Sequence, residues 1–126
     1  GMQDIHSPVQ RLDYENLDMY RCAIEFVAFA FQVINSMQRG DGELRDQLKR
    51  DAISVVLNIA EAAGKPSAPD RARFHAIARG SAMECGALVD ECVIAARVEP
   101  ADAHLSAERG KVLLVRIVSM LTRLCR

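Results

Sequence analysis

The sequence predicts an all-α chain folded as an antiparallel up-down-up-down four-helix bundle. Three observations lead there. Apolar residues return at three- and four-residue spacing in four separate stretches; breaks rich in Gly and Pro divide them; and no stretch alternates with a period of two. The connections are short, so each helix is expected to run back along the one before it. At 126 residues the chain is long enough for one domain with a real core and too short for two ordinary ones. Residues 13–126 are taken as the bundle. Residues 1–12, with Pro8 and no period, are expected to be a mobile lead-in, with Gly1 ahead of Met2 read as a tag remnant.

The first helix is expected from about Asp13, capped by Asp13 or Asn16, with Leu17, Tyr20, Ile24, Val27, Phe31 and Ile34 as its stripe. Cys22, Phe26, Phe29 and Ala30 widen that stripe until Ala23–Ile34 is apolar nearly all round. A helix of that kind buries more than one face, which suggests self-association through Phe26, Phe29 and Phe31. Arg39-Gly40-Asp41-Gly42 breaks the helix, with Gly40 as the residue past its end. The second helix then runs to about Ala63 on an apolar face of Leu44, Leu48, Ala52, Val55, Val56, Ile59 and Ala63. Pro66 ends it and Ser67 is placed to cap the third helix, with Asp70 favourable in its first turn.

The third helix, about Ala68 to Arg97, carries Phe74, Ile77, Ala78, Ser81, Cys85, Leu88, Cys92 and Ala95 near one stripe. Gly80 and Gly86 inside it suggest close helix approach, since each costs up to about 1 kcal/mol against Ala. Glu99-Pro100 ends it. The fourth helix, about Asp102 to Leu124, has Leu105, Val112, Val115, Ile117, Val118, Leu121 and Leu124 apolar, with Gly110 weakening its first half.

The composition is 50% apolar and 26% charged, a soluble globular balance. No apolar run reaches the roughly 18 residues a membrane span needs, so a cytoplasmic protein without membrane partners is expected. The net charge of −1 is unevenly spread: residues 81–108 carry one basic and six acidic groups, and residues 109–126 carry five basic and none acidic. Such segments suit attraction between neighbouring helices or subunits. Cys22, Cys85, Cys92 and Cys125 fit no CxxC spacing and read as reduced small hydrophobes.

Within the second helix a polar row of Arg50, Ser54, Asn58 and Glu61 steps by four, four and three among apolar neighbours. Such a row must be buried and hydrogen-bonded, or face a groove or subunit contact. With Ser81 and Glu84 of the third helix it is read as a structural seam fixing helix register, Asn58 and Glu61 bonding to Ser81, Glu84 or backbone near Gly80. A di-iron bundle would need Glu-x-x-His pairs, and no Glu stands three residues before His75 or His104. No phosphate-loop, nucleophile-elbow or zinc-protease motif occurs, and His75, beside Phe74, is expected to be a surface or partly buried residue rather than a ligand. No enzyme activity, metal or cofactor is expected.

The stretch Gln47-Leu48-Lys49-Arg50-Asp51-Ala52-Ile53-Ser54, followed by Asn58-Ile59-Ala60-Glu61-Ala62, resembles the QLRRA-SI-NIAEG signature of the four-helix-bundle family encoded by intervening sequences in bacterial 23S ribosomal RNA genes. Arg73-Phe74-His75-Ala76-Ile77-Ala78-Arg79-Gly80-Ser81-Ala82-Met83-Glu84 is similar to that family's RFL-IA-GS-E block. Two departures stand out: Asp51 changes the local charge, and the Gly after the NIAE run is displaced to Gly64. The resemblance implies a homo-oligomer, a pentamer, with no assigned activity. A related branch, the accessory variability proteins of diversity-generating retroelements, is basic and binds nucleic acid with a reverse transcriptase. RNA or DNA binding is therefore the alternative to a self-associating interaction module. Its candidate residues are Arg45, Lys49, Arg73, Arg79, Arg116 and Arg123, against which the net charge of −1 weighs.

Overall fold

A computed structural model describes residues 14–37, 41–96 and 100–125, with side chains for 16–37, 41–95 and 107–125. The described residues form four helices: α1 Tyr14–Ser36, α2 Gly42–Ala63, α3 Ala68–Ala96 and α4 Pro100–Leu124. Asn16 sits inside the first turn of α1 rather than capping it. Asp13, Gly40, Arg97, Glu99 and the expected lead-in lie outside the described residues. Among the described residues no helix is long and apolar enough to cross a membrane.

The connection between α2 and α3 is tightly stitched. The Asp70 amide donates to Ser67 Oγ at 3.2 Å, which makes Ser67 the cap its position suggested. Arg71 Nη1 donates to the carbonyls of Lys65 and Pro66 at 3.0 and 2.8 Å. The Lys65 ammonium lies 5.0 Å from the centre of the Phe74 ring. Each helix packs on its two neighbours in a ring, α2 against α3 most extensively, while across the diagonals α1 and α3 touch slightly and, among the described residues, α2 and α4 do not.

The core is filled by Phe26, Met19, Leu48, Ile59, Ile117, Leu121, Val55 and Val89, all fully buried. Each large apolar side chain so buried stabilises the fold by about 1.5–3 kcal/mol before entropy. On α2 the buried set Leu48, Ala52, Val55, Ile59 and Ala62 follows the expected face closely. On α1 the face differs. Met19, Cys22, Ala23, Phe26, Phe29, Ala30 and Val33 point inward, while Ile24 and Phe31 of the expected stripe are exposed. A helix apolar nearly all round offers two stripes about one residue, or about 100°, apart, and packing selects the one that carries Phe26 and Phe29. On α4, Leu113, Leu114, Ile117, Met120 and Leu121 are buried, whereas Val112 and Val115 face outward. Ile77 of α3 is likewise exposed.

The glycines exchange roles. Gly80 is open, with nothing within 4 Å of where a Cβ would sit, and Gly86 has only Leu114 Cδ1 at 4.0 Å. Gly110 is the close approach. A Cβ there would lie 2.5 Å from Phe29 Cζ and 2.8 Å from Cδ1, so the absence of a side chain on α4 is what admits the α1 ring.

Candidate functional site

The α2–α3 seam holds a short polar ladder. Ser54 Oγ and Ser81 Oγ are 2.8 Å apart, and Asn58 Nδ2 donates to the Ser54 carbonyl and Oγ at 2.9 and 3.0 Å. One turn along, Asp51 faces Glu84. Burial, then a hydrogen bond to Glu84 and its negative charge, push the Asp51 carboxyl up to about 6, against the pull of the Arg50 guanidinium. A hydrogen bond between two carboxyl groups requires a proton on one of them, and Asp51 carries it below about pH 6. Behind it the buried Cys85 thiol is pushed up to about 12, by burial first and by the charges of Asp51 and Glu84. The serine hydroxyls bond each other and Asn58, so the ladder orients neither against a base. Among the described residues no three His, Cys, Asp or Glu side chains converge as a metal site.

The row that faces α3 therefore runs Asp51, Ser54, Asn58, at steps of three and four. Arg50 is exposed, and so is Glu61, whose carboxylate pairs with Lys65 of its own helix end at 3.5 Å. Neither reaches the seam as expected, because both lie to one side of it, about 55–75° around the helix from the mean direction of Asp51, Ser54 and Asn58. Asp51 was missed as a site residue, although its spacing to Ser54 and Asn58 is the signal that marks it. His75, expected at the surface or partly buried, is buried further than that, at 6% exposure, the one polar side chain buried in the core of the described residues.

The six candidate basic residues are spread over several faces. Lys49 of α2 has its ammonium 5.9 Å from the Phe31 ring of α1. Arg73 lies 3.7 Å from Asp70 and 4.6 Å from the Phe74 ring. Arg79 donates through Nε to Thr122 Oγ1 of α4 at 2.8 Å, and Thr122 in turn donates to the Val118 carbonyl. Arg45 is half-buried on α2, while Arg116 and Arg123 stand exposed along α4.

Of the three phenylalanines assigned to an oligomer contact, Phe26 and Phe29 are buried inside the bundle, their ring centres 5.7 Å apart. They belong to the core. Phe31 alone is at the surface. Two of the exposed apolar residues, Met83 of α3 and Val115 of α4, instead line an open groove of about 550 Å3 together with Ala87, Leu114 and Val118. Asp90 and Lys111 close one side of it with an ion pair at 2.5 Å. Met83 is 54% exposed and Val115 65%. The signal for this surface was present in the periodicity of α4, which places Val112 and Val115 a helical turn apart and off the Ile117–Leu121 face.

Compared with known families, residues 15–118 match the model of a family described as 23S rRNA-intervening sequence protein. Among curated proteins no match is found.

Proposed function

The chain belongs to the 23S rRNA-intervening sequence protein family, and from that premise we propose that it is a non-enzymatic, self-associating four-helix bundle that serves as an interaction module. The helices run up-down-up-down in this reading. Its support is the numbering of cross-helix pairs, in which one partner rises as the other falls: Ser54 with Ser81 and Asp51 with Glu84 between α2 and α3, Arg79 with Thr122 and Asp90 with Lys111 between α3 and α4.

One observation carries the interaction role: the exposed apolar α3–α4 groove, with Met83 and Val115 on its walls and the Asp90–Lys111 pair at its edge. Apolar surface gains about 25 cal/mol per Å2 on burial, and an apolar centre with a charged edge is the usual anatomy of a protein contact. The surface is distinct from the Phe26–Phe29 core, so an interface here leaves each bundle intact. The polar ladder serves to fix the register of α2 on α3 rather than to react.

Val115→Asp tests the reading. The exposed site tolerates the change, so circular dichroism and melting stay close to wild type, while sedimentation gives a smaller particle. A wild-type chain that sediments as a monomer at tens of micromolar, or a variant whose assembly is unchanged, overturns it. The same run reads the stoichiometry, five copies being the number the resemblance implies.

A further inference from the structure

The α3–α4 groove is concave, so its shape limits what fills it. Set against its own two-fold copy, a groove of about 550 Å3 meets a second groove and leaves the space between them empty, which close packing disfavours. It needs a ridge.

The ring order of the helices sets the α1–α2 side opposite the α3–α4 side, since α1 packs on both α2 and α4 while α2 and α4 stay apart among the described residues. That opposite side is also apolar. Phe31 of α1 is at the surface, 5.9 Å from the Lys49 ammonium of α2, so both turn toward this side. Ile24 stands two turns back on the stripe of Phe31 and is 44% exposed. Ile53 and Leu57 continue the row of Lys49 at four-residue steps, and Leu57 is 60% exposed. Of the two sides between, α2–α3 presents the serine–asparagine ladder, and α4–α1 carries the charges of Asp18, Glu25 and Arg116 around Cys22.

Height and charge also agree. Phe31 is level with Lys49, Ser54 with Ser81, and Asp90 with Lys111. Counting along the helices from these pairs sets Phe31 about level with Val115, and Ile53 about level with Met83. Ridge and groove therefore both straddle the middle of the bundle, and two copies side by side bring one to the other without sliding. Each surface carries one base and one acid, Lys49 with Asp46 on the ridge and Lys111 with Asp90 at the groove's rim, so each sign has a counterpart across the contact.

We propose that the α1–α2 ridge of one copy seats in the α3–α4 groove of the next, a head-to-tail contact that rests on the groove being a self-association surface. A groove-to-groove contact stops at two copies. Ridge-to-groove contact leaves an unused surface at each end, so it repeats until a ring closes.

Ile24→Asp disables the ridge and Val115→Asp the groove, each at an exposed site, and circular dichroism checks that both chains stay folded. Leu57→Asp takes the place of Ile24→Asp if that chain melts early. Alone, each variant should sediment as a monomer. Mixed one to one at a few hundred micromolar, they should double in mass and go no further, because the groove of the first and the ridge of the second are the one intact pair. If Ile24→Asp assembles like the wild type while Val115→Asp does not, the groove stands as a self-contact and the head-to-tail arrangement is overturned. A mixture that stays monomeric overturns it too. If Val115→Asp assembles like the wild type, the groove is not the contact, and both readings fall.

Discussion

Replacing Gly110 by alanine puts the α1–α4 contact to a quantitative test. A Cβ at this position would lie 2.5 Å from Phe29 Cζ and 2.8 Å from Cδ1, about 1 Å inside ordinary carbon–carbon contact. The Phe29 ring is 4% exposed and leans on Phe26, so it has no route into solvent. Overpacking of that order costs about 1–3 kcal/mol. Helix propensity returns up to about 1 kcal/mol on replacing Gly. The net expectation is a destabilisation of about 1–2 kcal/mol. Gly80→Ala is the matched control: it is mid-helix, exposed, and has nothing within 4 Å of the new atom. There the propensity term stands alone, and a gain of about 0.5–1 kcal/mol is expected. Urea unfolding followed by far-UV circular dichroism, at one fixed protein concentration, reads both. The signs should be opposite. If Gly110→Ala proves as stable as Gly80→Ala, the ring does not sit where the packing argument needs it, and the assignment of Phe29 to the core is wrong. Adding Phe29→Leu to Gly110→Ala should restore part of the loss, because the smaller side chain makes room.

Asp51 ties stability to pH. Its carboxyl rises on folding from 3.8 to about 6, so the folded state holds the proton more tightly, and stability falls as pH climbs through that window. The full displacement corresponds to about 3 kcal/mol, which partial exposure of the pair reduces to about 1 kcal/mol. Asp51→Asn should therefore stabilise the protein by about that amount above pH 7, with no advantage below about pH 4; pH-resolved melting with an unchanged difference across the range would refute it. Thiol chemistry gives a separate check. Cys22, Cys85 and Cys92 are buried and their thiols are pushed up by burial, whereas Cys125 is half-buried. A maleimide should label Cys125 first in the native protein and the other three only on unfolding; early labelling of Cys85 would mean that the seam opens readily.

Where one face of a helix differs sharply from the other, the chain can be read directly. The buried positions of α2 and the Ser67 cap of α3 follow from spacing and hydrogen-bonding capacity alone. Where a helix is apolar on all sides, as α1 is, periodicity offers two stripes of equal quality. The choice falls to a partner: Gly110 leaves room for Phe29, and Ile24 and Phe31 turn outward as a result. The polar seam was legible as a feature but misplaced by one residue at its first member and in its last. Asp51, not Arg50, completes the run with Ser54 and Asn58, since a long charged guanidinium reaches water at no cost while a carboxyl beside Glu84 can share a proton. His75 was hidden by its type. Nothing local distinguishes a histidine that meets the end of another helix from one that meets solvent, and its Leu124 partner stands far along the chain.

The stitched turn between α2 and α3 also bears on the order in which the molecule assembles. Ser67, Lys65, Arg71 and Phe74 make their bonds within a few residues of one another, so forming this hairpin closes almost no loop and loses little chain entropy. The Phe29–Gly110 contact joins α1 to α4 and closes a loop that contains the hairpin itself. The central pair of helices is thus the natural nucleus, and the two outer helices dock onto it. In a growing chain, α1 must wait for α4 before the ring around the core can shut. Until then, the faces of α1 and of the hairpin that await α4 stay uncovered, open to another copy of the same chain at the same stage.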